Sequence, residues 1–170
     1  MKKVSLFILS IIIFAACDSG PKKTFTIELN NINFEAEGPF FEGPNTFQAE
    51  LGENFSAIFE ENGADINDIS SVKLKDAAVF SKEGENFDLF ENFLLQFFGD
   101  NFPLTKVASL SSVEKNQTSL SLNPSNEADV KSLFKEETIF VIVDANLNDE
   151  FYDDLSFKGK VVLEITAKEK

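Results

Sequence analysis

The fold class is decided by the last strand-like stretch of the chain, Ser156-Phe157-Lys158-Gly159-Lys160-Val161-Val162-Leu163-Glu164-Ile165-Thr166-Ala167-Lys168. Small or apolar residues stand at every second position from Phe157 to Ala167, and most positions between them are polar or charged. A period of two puts alternate side chains on opposite faces of an extended chain. The stretch therefore predicts a β-strand with one buried face, which is typical of an antiparallel sheet.

The same alternation recurs along most of the chain before this stretch. Its register shifts at Asn30-Asn31 and again near Lys75-Asp76, as a β-bulge would cause. Turn-forming pairs such as Gly38-Pro39 separate the segments. The further strands predicted in this way are Thr24 to Ala36, Phe47 to Leu51, Ile69 to Phe80, Thr105 to Val113, Thr118 to Leu122 and Thr138 to Asp144.

The apolar stretch from Phe87 to Phe98 fits two interpretations. Phe87, Phe90 and Leu94 are spaced as on a helix that ends at Gly99. A strand that follows one helical turn is favoured, because aromatic residues dominate and the neighbouring segments are strands. We expect both faces of this strand to be covered, since its second face carries Leu94 and Phe98.

Two short helices are predicted between the strands. Phe55, Ile58 and Phe59 follow the potential cap Asn54 and precede Gly63. The stretch from Asn126 to Glu136 has apolar residues at helical spacing, with acids early and lysines late, which suits the helix dipole. Many short strands and only two short helices predict an all-β fold, an antiparallel β-sandwich over residues 24–170, with a closed barrel as the alternative.

The N-terminus has the pattern of a secretory signal. Lys2 and Lys3 precede the apolar run from Val4 to Phe14, and two alanines lead to Cys17, the only cysteine of the chain. This segment resembles a bacterial lipoprotein signal. The resemblance implies that residues 1–16 are removed, that Cys17 is acylated, and that residues 17–23 form a tether. The alternatives are an ordinary secretory signal and an uncleaved anchor, although the run is shorter than the roughly 20 residues that span a bilayer.

From Ile69 onward the order of predicted elements resembles that of small β-sandwich lipoproteins of Bacteroidota whose role is unassigned. This resemblance implies a cell-envelope protein that is anchored by lipid to the outer membrane, on its periplasmic or extracellular face. It carries over no functional residues. The partners implied are the membrane, through the lipid on Cys17, and a protein or another envelope component.

The composition argues against several functions. The chain has no His, no Arg and no Trp, and Cys17 is committed to the anchor. An imidazole-based triad, a zinc site of the usual kind and a guanidinium clamp on phosphate are therefore excluded. The formal net charge of −14 disfavours nucleic acid as a partner. We predict a non-enzymatic binding module with no catalytic residues and no cofactor.

Two other functions remain as alternatives. The first is a carrier of an apolar ligand or lipid, because 20 phenylalanines could line a cavity as well as fill a core. The second is a carboxylate-based hydrolase, because 29 acids place some carboxylates near one another.

The strongest candidate for a metal site is the acidic stretch from Asp144 to Asp154. Asp144, Asn146 and Asn148 match the first three ligands of an EF-hand loop. The match then fails, because Asp149 stands where glycine is needed and Leu155 stands where a bidentate Glu is needed. The acidic loop from Asn62 to Asp68 has still less of the pattern. We predict a solvated hairpin loop at the first place, a plain linker from helix to strand at the second, and no metal.

If the thiol of Cys17 is the acylation site, the Cys17→Ala variant should lose palmitate labelling and stay uncut before residue 17. Ser19→Ala is the matched control and should be labelled and processed normally. Labelling with palmitate and the mass of the purified protein measure both effects. Unchanged labelling of Cys17→Ala would contradict the lipoprotein interpretation.

Overall fold

The computed structural model describes residues 20–169, so the predicted signal and Cys17 lie outside the described residues. Within them the chain forms one α-helix, α1 (Phe55–Glu61), two short 3-10 segments (Ile66–Asp68 and Lys131–Lys135) and eight strands. No helix in this range is long and apolar enough to cross a membrane. The strands are β1 (Lys22–Ala36), β2 (Gly43–Leu51), β3 (Ile69–Ser81), β4 (Phe90–Gly99), β5 (Phe102–Leu110), β6 (Ser119–Pro124), β7 (Ile139–Leu147) and β8 (Leu155–Lys168).

The strands form one antiparallel sheet in the order β1-β8-β3-β6-β5-β4-β7-β2. The sheet curls into two layers of four strands, and these layers are joined by two residue pairs between β5 and β6. The curl also brings the two edge strands, β1 and β2, next to each other. The predicted all-β antiparallel sandwich is therefore confirmed. The approach of the two edges explains why a closed barrel was a reasonable alternative.

β8 is an inner strand of its layer, as its sequence pattern requires. It pairs with β1 on one side and with β3 on the other. The side chains of its alternating positions from Phe157 to Ala167 are all buried. Gly159 lies on this buried face, and a Cβ there would come within 2.9 Å of the Phe34 ring. The glycine thus leaves room for an aromatic residue of the neighbouring strand.

Both predicted bulges are present. The β1–β8 register shifts between Leu29 and Ile32, where Asn31 has φ of 59°. Asparagine tolerates this left-handed conformation better than most residues. The β3–β8 register shifts between Leu74 and Asp76. In each case the alternation of apolar residues resumes on the same buried face after the shift.

Helix α1 begins at its predicted cap. The Asn54 side chain accepts a hydrogen bond from the backbone N–H of Ala57 at 3.1 Å, which satisfies one of the donors left free in the first turn. The buried face of the helix packs on Phe134, whose ring centroid lies 4.8 Å from that of Phe55 and 5.9 Å from that of Phe59. This helix closes one end of the sandwich.

The second predicted helix, Asn126 to Glu136, is wrong in extent and type, because only the 3-10 segment Lys131–Lys135 forms. The preceding residues pair with β3 instead. The backbone N–H of Val130 donates to Val72 O at 2.9 Å, and the Asp129 side chain accepts from the N–H of Val72 at 3.1 Å. β6 pairs with β3 only from Ala77 to Phe80, so the edge of β3 at Val72 is free to bind this segment.

The stretch from Phe87 to Phe98 forms a turn followed by strand β4, as predicted. The backbone N–H of Phe90 donates to Phe87 O at 2.9 Å, which closes the turn. On the inner face, Phe93, Leu95 and Phe97 are buried. The second face is covered in part, because Leu94 and Phe98 are half-buried while Gln96, which lies between them on that face, is buried. This face points away from the facing layer.

A cluster of phenylalanine rings joins the two layers. Phe157 of β8 stacks on Phe34 of β1, with ring centroids 4.9 Å apart. Across the sandwich its ring meets Phe47, Phe90 and Phe93 at centroid distances of 5.1, 6.1 and 6.0 Å. Such aromatic pairs contribute about 0.5–1.5 kcal/mol each beyond the area that they bury.

The unequal faces of β4 predict unequal costs of truncation. Leu95→Ala should lower the free energy of unfolding by about 2–5 kcal/mol, because it opens a cavity in the core. The matched variant Leu94→Ala, one residue away, should cost roughly 1 kcal/mol, because its side chain is partly in water already. Urea unfolding of both variants measures the difference. Equal losses would show that the second face is as buried as the first.

Candidate functional site

The sandwich has two ends, and the residue pairs at the ends of its strands define each of them. At one end, which we call the tether end, Lys22 pairs with Lys168 and Leu51 pairs with Ile139. At the other, the distal end, Ala36 pairs with Leu155 and Gly43 pairs with Leu147. The described chain enters at the tether end. A candidate site at the distal end is therefore separated from Lys22 by the length of β1.

A cavity of about 330 Å³ opens at the distal end, between the turn that precedes β4 and the start of β8. Its wall toward the core consists of Phe87, Phe90 and Phe157, all of them buried members of the aromatic cluster. Nearer to solvent lie Leu89 and Phe151, which are partly buried. Its apolar lining residues are Phe87, Leu89, Phe90, Phe151, Leu155 and Phe157. We call this feature the distal cavity.

Backbone hydrogen bonds fix one wall of the distal cavity. The turn from Ser81 to Phe90 is bonded to the residues just before β6, since the N–H of Phe87 donates to Gln117 O at 2.9 Å. Within the turn, the hydroxyl of Ser81 donates to Glu85 O at 2.8 Å. These bonds place Phe87 toward the core and leave the Glu85 side chain at the mouth.

The opposite wall depends on two loops that pair with each other. Phe40 and Phe151 exchange backbone hydrogen bonds of 2.7 and 3.0 Å. Two residues before Phe40, Gly38 passes so close to the second loop that a Cβ would lie 2.8 Å from Tyr152 O and Asp153 O. Glycine is thus required for the approach that puts Phe151 over the cavity.

The distal end also exposes two large side chains on these loops. Phe41 is 67% exposed and Tyr152 is 73% exposed. The hydroxyl of Tyr152 donates a hydrogen bond to Glu150, whose carboxylate raises the pKa of that phenol. Solvent-exposed aromatic side chains that follow directly on the paired residues Phe40 and Phe151 are suited to contact a partner.

Charge at the distal end is mainly negative. Glu85 is the one charged residue in the lining of the distal cavity. Two adjoining depressions, of about 350 and 510 Å³, share residues with its mouth. Their charged residues are the acids Glu35, Glu37, Glu83 and Asp154 and the lysines Lys82 and Lys158.

The structure corrects the interpretation of Asp144 as part of a solvated loop. Asp144 lies within β7, where its carboxylate accepts hydrogen bonds of 2.6 Å from Thr46 of β2 and from Gln96 of β4. The loop proper begins after Leu147, and Asn148 at its start donates to Asp88 O. Of the three residues that match EF-hand spacing, Asp144 and Asn146 thus lie on β7, and Asn148 lies in the loop that follows it. Among residues 20–169, no three acidic, His or Cys side chains converge as a metal site would need.

The other acidic loop has a structural role. In the loop from Asn62 to Asp68, the Asp65 side chain accepts from the N–H of Asn67 at 2.8 Å and caps the 3-10 segment that leads into β3. Lys23 of β1 donates to the backbone oxygens of Asn62 and Gly63. The loop therefore connects α1 to the sheet.

A carboxylate-based hydrolase would need at least one carboxyl group in an apolar environment as its general acid. Among the described residues, Gln96 is the buried polar side chain, and no Asp or Glu is buried. Of the acids at the distal end, Glu85 lines the distal cavity, and the adjoining depressions are lined by Glu35, Glu37, Glu83 and Asp154.

Comparisons with known proteins identify no relative by sequence. No family model and no curated protein matches the chain. Among solved structures, a chain of the infectious bursal disease virus VP2 subviral particle matches with a TM-score of 0.36 and 14% identity, over 95% of this chain and 38% of that one. A chain of Desmodium yellow mottle tymovirus matches with a TM-score of 0.33 and 6% identity, over 100% of this chain and 98% of that one. The chain thus spans well under half of the VP2 chain, and likenesses at this level carry no functional argument.

The hydrogen bonds of the Asp144 carboxylate predict that calcium does not change the stability of the protein. Because its two oxygens already accept hydrogen bonds from Thr46 and Gln96, added Ca²⁺ should leave the melting temperature unchanged at constant ionic strength. Mg²⁺ at the same concentration is the control for charge screening. A rise of several degrees with Ca²⁺ alone, absent in Asp144→Asn, would contradict this prediction, since a ligand that binds the folded state stabilises it.

Proposed function

We propose that this protein is a lipid-anchored binding module of the bacterial cell envelope, held at the outer membrane through Cys17, and that it is not an enzyme. The observation that carries the proposal is the separation of its two ends. The chain leaves the predicted anchor at the tether end, while the cavity and the exposed aromatic residues Phe41 and Tyr152 lie at the distal end.

The lengths of the tether and of β1 give the approximate distance between the anchor and the distal end. The segment between Cys17 and Lys22 can extend by at most about 17 Å, which keeps the tether end close to the bilayer. Strand β1 has 15 residues, and at a rise of about 3.3 Å per residue it spans roughly 45 Å from the tether end to the distal end. The distal end would then face the surrounding envelope.

The chemistry of the distal end supports binding. Partner-binding surfaces are enriched in aromatic side chains, and Phe41, Phe151 and Tyr152 lie on two loops that hold each other in place. The partner we propose is a protein or another component of the envelope. Nucleic acid is disfavoured by the acidic surface.

A second candidate function is favoured by the distal cavity itself. Its phenylalanine lining is what a carrier of a small apolar ligand requires, and its volume lies near the lower limit of about 300 Å³ for ligand pockets. As such a carrier, the anchored protein would bind a small apolar molecule in the distal cavity.

Replacement of residues 1–17 by a secretory signal that lacks the cysteine tests the anchor. We expect the native chain in the membrane fraction and in the detergent phase, and the replaced chain in the soluble fraction, because two or more acyl chains hold a protein stably while none remains after the exchange. Equal melting temperatures of the two proteins control for folding. A replaced chain that still sediments with membranes would contradict the proposal.

A further inference from the structure

We propose that the distal cavity binds a small cationic amphiphile, a molecule with one aromatic or short aliphatic group and a positively charged amine or ammonium head. This inference rests on the proposed function, since it names the ligand of the end that faces away from the anchor. It does not depend on the lipid at Cys17.

The apolar part of the ligand follows from the lining. Phe87, Phe90 and Phe157 present ring surface at the inner wall, and Leu89 and Phe151 present apolar surface nearer to the mouth. Water in contact with these side chains has few hydrogen-bond partners there. An aromatic or aliphatic group that replaces this water gains roughly 25 cal/mol for each Å² of apolar surface buried.

The size of the ligand follows from the volume. About 330 Å³ is near the lower limit for a ligand pocket, which suits one ring with a short chain and excludes complete burial of a long acyl chain. The cavity lies between two fixed walls, because the turn before β4 is bonded to Gln117 and the Phe151 loop is bonded to Phe40. The site is therefore largely formed before a ligand enters.

The charge of the ligand follows from the charged residues at and near the mouth of the distal cavity. Glu85 is the charged residue of the lining, and Glu35, Glu37, Glu83 and Asp154 line the adjoining depressions. The lysines that face the same region are Lys82 and Lys158, and in the described residues neither forms an ion pair with Glu85. Glu85 and the four acids of the adjoining depressions make five carboxylates against two lysines, a local excess of negative charge that favours a cation and repels an anion.

Three probes of one shape test this assignment: 4-phenylbutylamine, the neutral 4-phenylbutan-1-ol and the anionic 4-phenylbutyrate. The protein is the soluble chain from the signal replacement described above, whose described core lies entirely between Ile27 and Ala167. We expect saturable binding of the amine at millimolar concentration or below, about two- to fivefold tighter than the alcohol, where fivefold is the upper range for one exposed charge pair. The carboxylate should bind more weakly than the alcohol.

Two charge variants locate the head group. Glu85→Gln should weaken amine binding by about two- to fivefold and leave alcohol binding unchanged. The matched control is Glu91→Gln, an exposed residue of β4 that does not line the cavity, and it should change neither. Added salt should reduce the preference for the amine, because it screens charges at the mouth.

A third variant locates the apolar group. Leu89→Trp fills the cavity from a partly exposed position and should abolish binding of both the amine and the alcohol while the melting temperature stays near that of the native chain. If Leu89→Trp does not fold, amide chemical shifts of the native protein provide the same information, since Phe87, Phe151 and Phe157 should shift with the amine. The proposal is overturned by absence of saturable amine binding, by equal binding of amine and alcohol, or by shifts confined to another surface. None of these outcomes bears on the anchor, which the fractionation experiment tests separately.

Discussion

Contact between phenylalanine rings across the sandwich is the interaction on which the rest of the structure depends. Among the described residues, β5 and β6 join the layers through two residue pairs and a hydrogen bond from Ser125 N–H to Val107 O, so side-chain packing contributes much of what keeps the layers together. Phe157 is central to this packing, with Phe34 beside it in its own layer and Phe47, Phe90 and Phe93 opposite. Two of these rings, Phe90 and Phe157, also line the distal cavity.

The sequence predicted those parts of the fold in which local pattern and tertiary contact agree. Strand β8 is an example, because its period of two is also the period of burial between β1 and β3. The bulge at Asn31 was predictable because the alternation of apolar residues shifts there, and Asn31 tolerates the left-handed conformation that it adopts. Helix α1 was predictable because Asn54, its cap, lies directly beside it.

The sequence failed where contacts over long distances along the chain outweighed local preference. The segment around Val130 has helical spacing, but the free edge of β3 at Val72 offers it backbone hydrogen bonds. In the sequence, Asp144 resembled a metal ligand in a loop. In the structure its carboxylate accepts hydrogen bonds from Thr46 and Gln96, which lie on two other strands. The number of phenylalanines indicated that a lined cavity could exist. Its position could not be predicted, because Phe87, Phe151 and Phe157 come from segments that only the folded chain brings together.

The length and placement of β1 determine how the molecule responds to mechanical force. A pull on the chain before Lys22, opposed by a load at the distal end, acts along the axis of β1. Its ladder with β8 runs from Lys22–Lys168 to Ala36–Leu155. Under such a pull the hydrogen bonds of this ladder are loaded in shear and share the force, whereas a pull across the strand would break them one after another. The orientation of β1 therefore makes the domain resistant to extension in the direction from one end of the sandwich to the other.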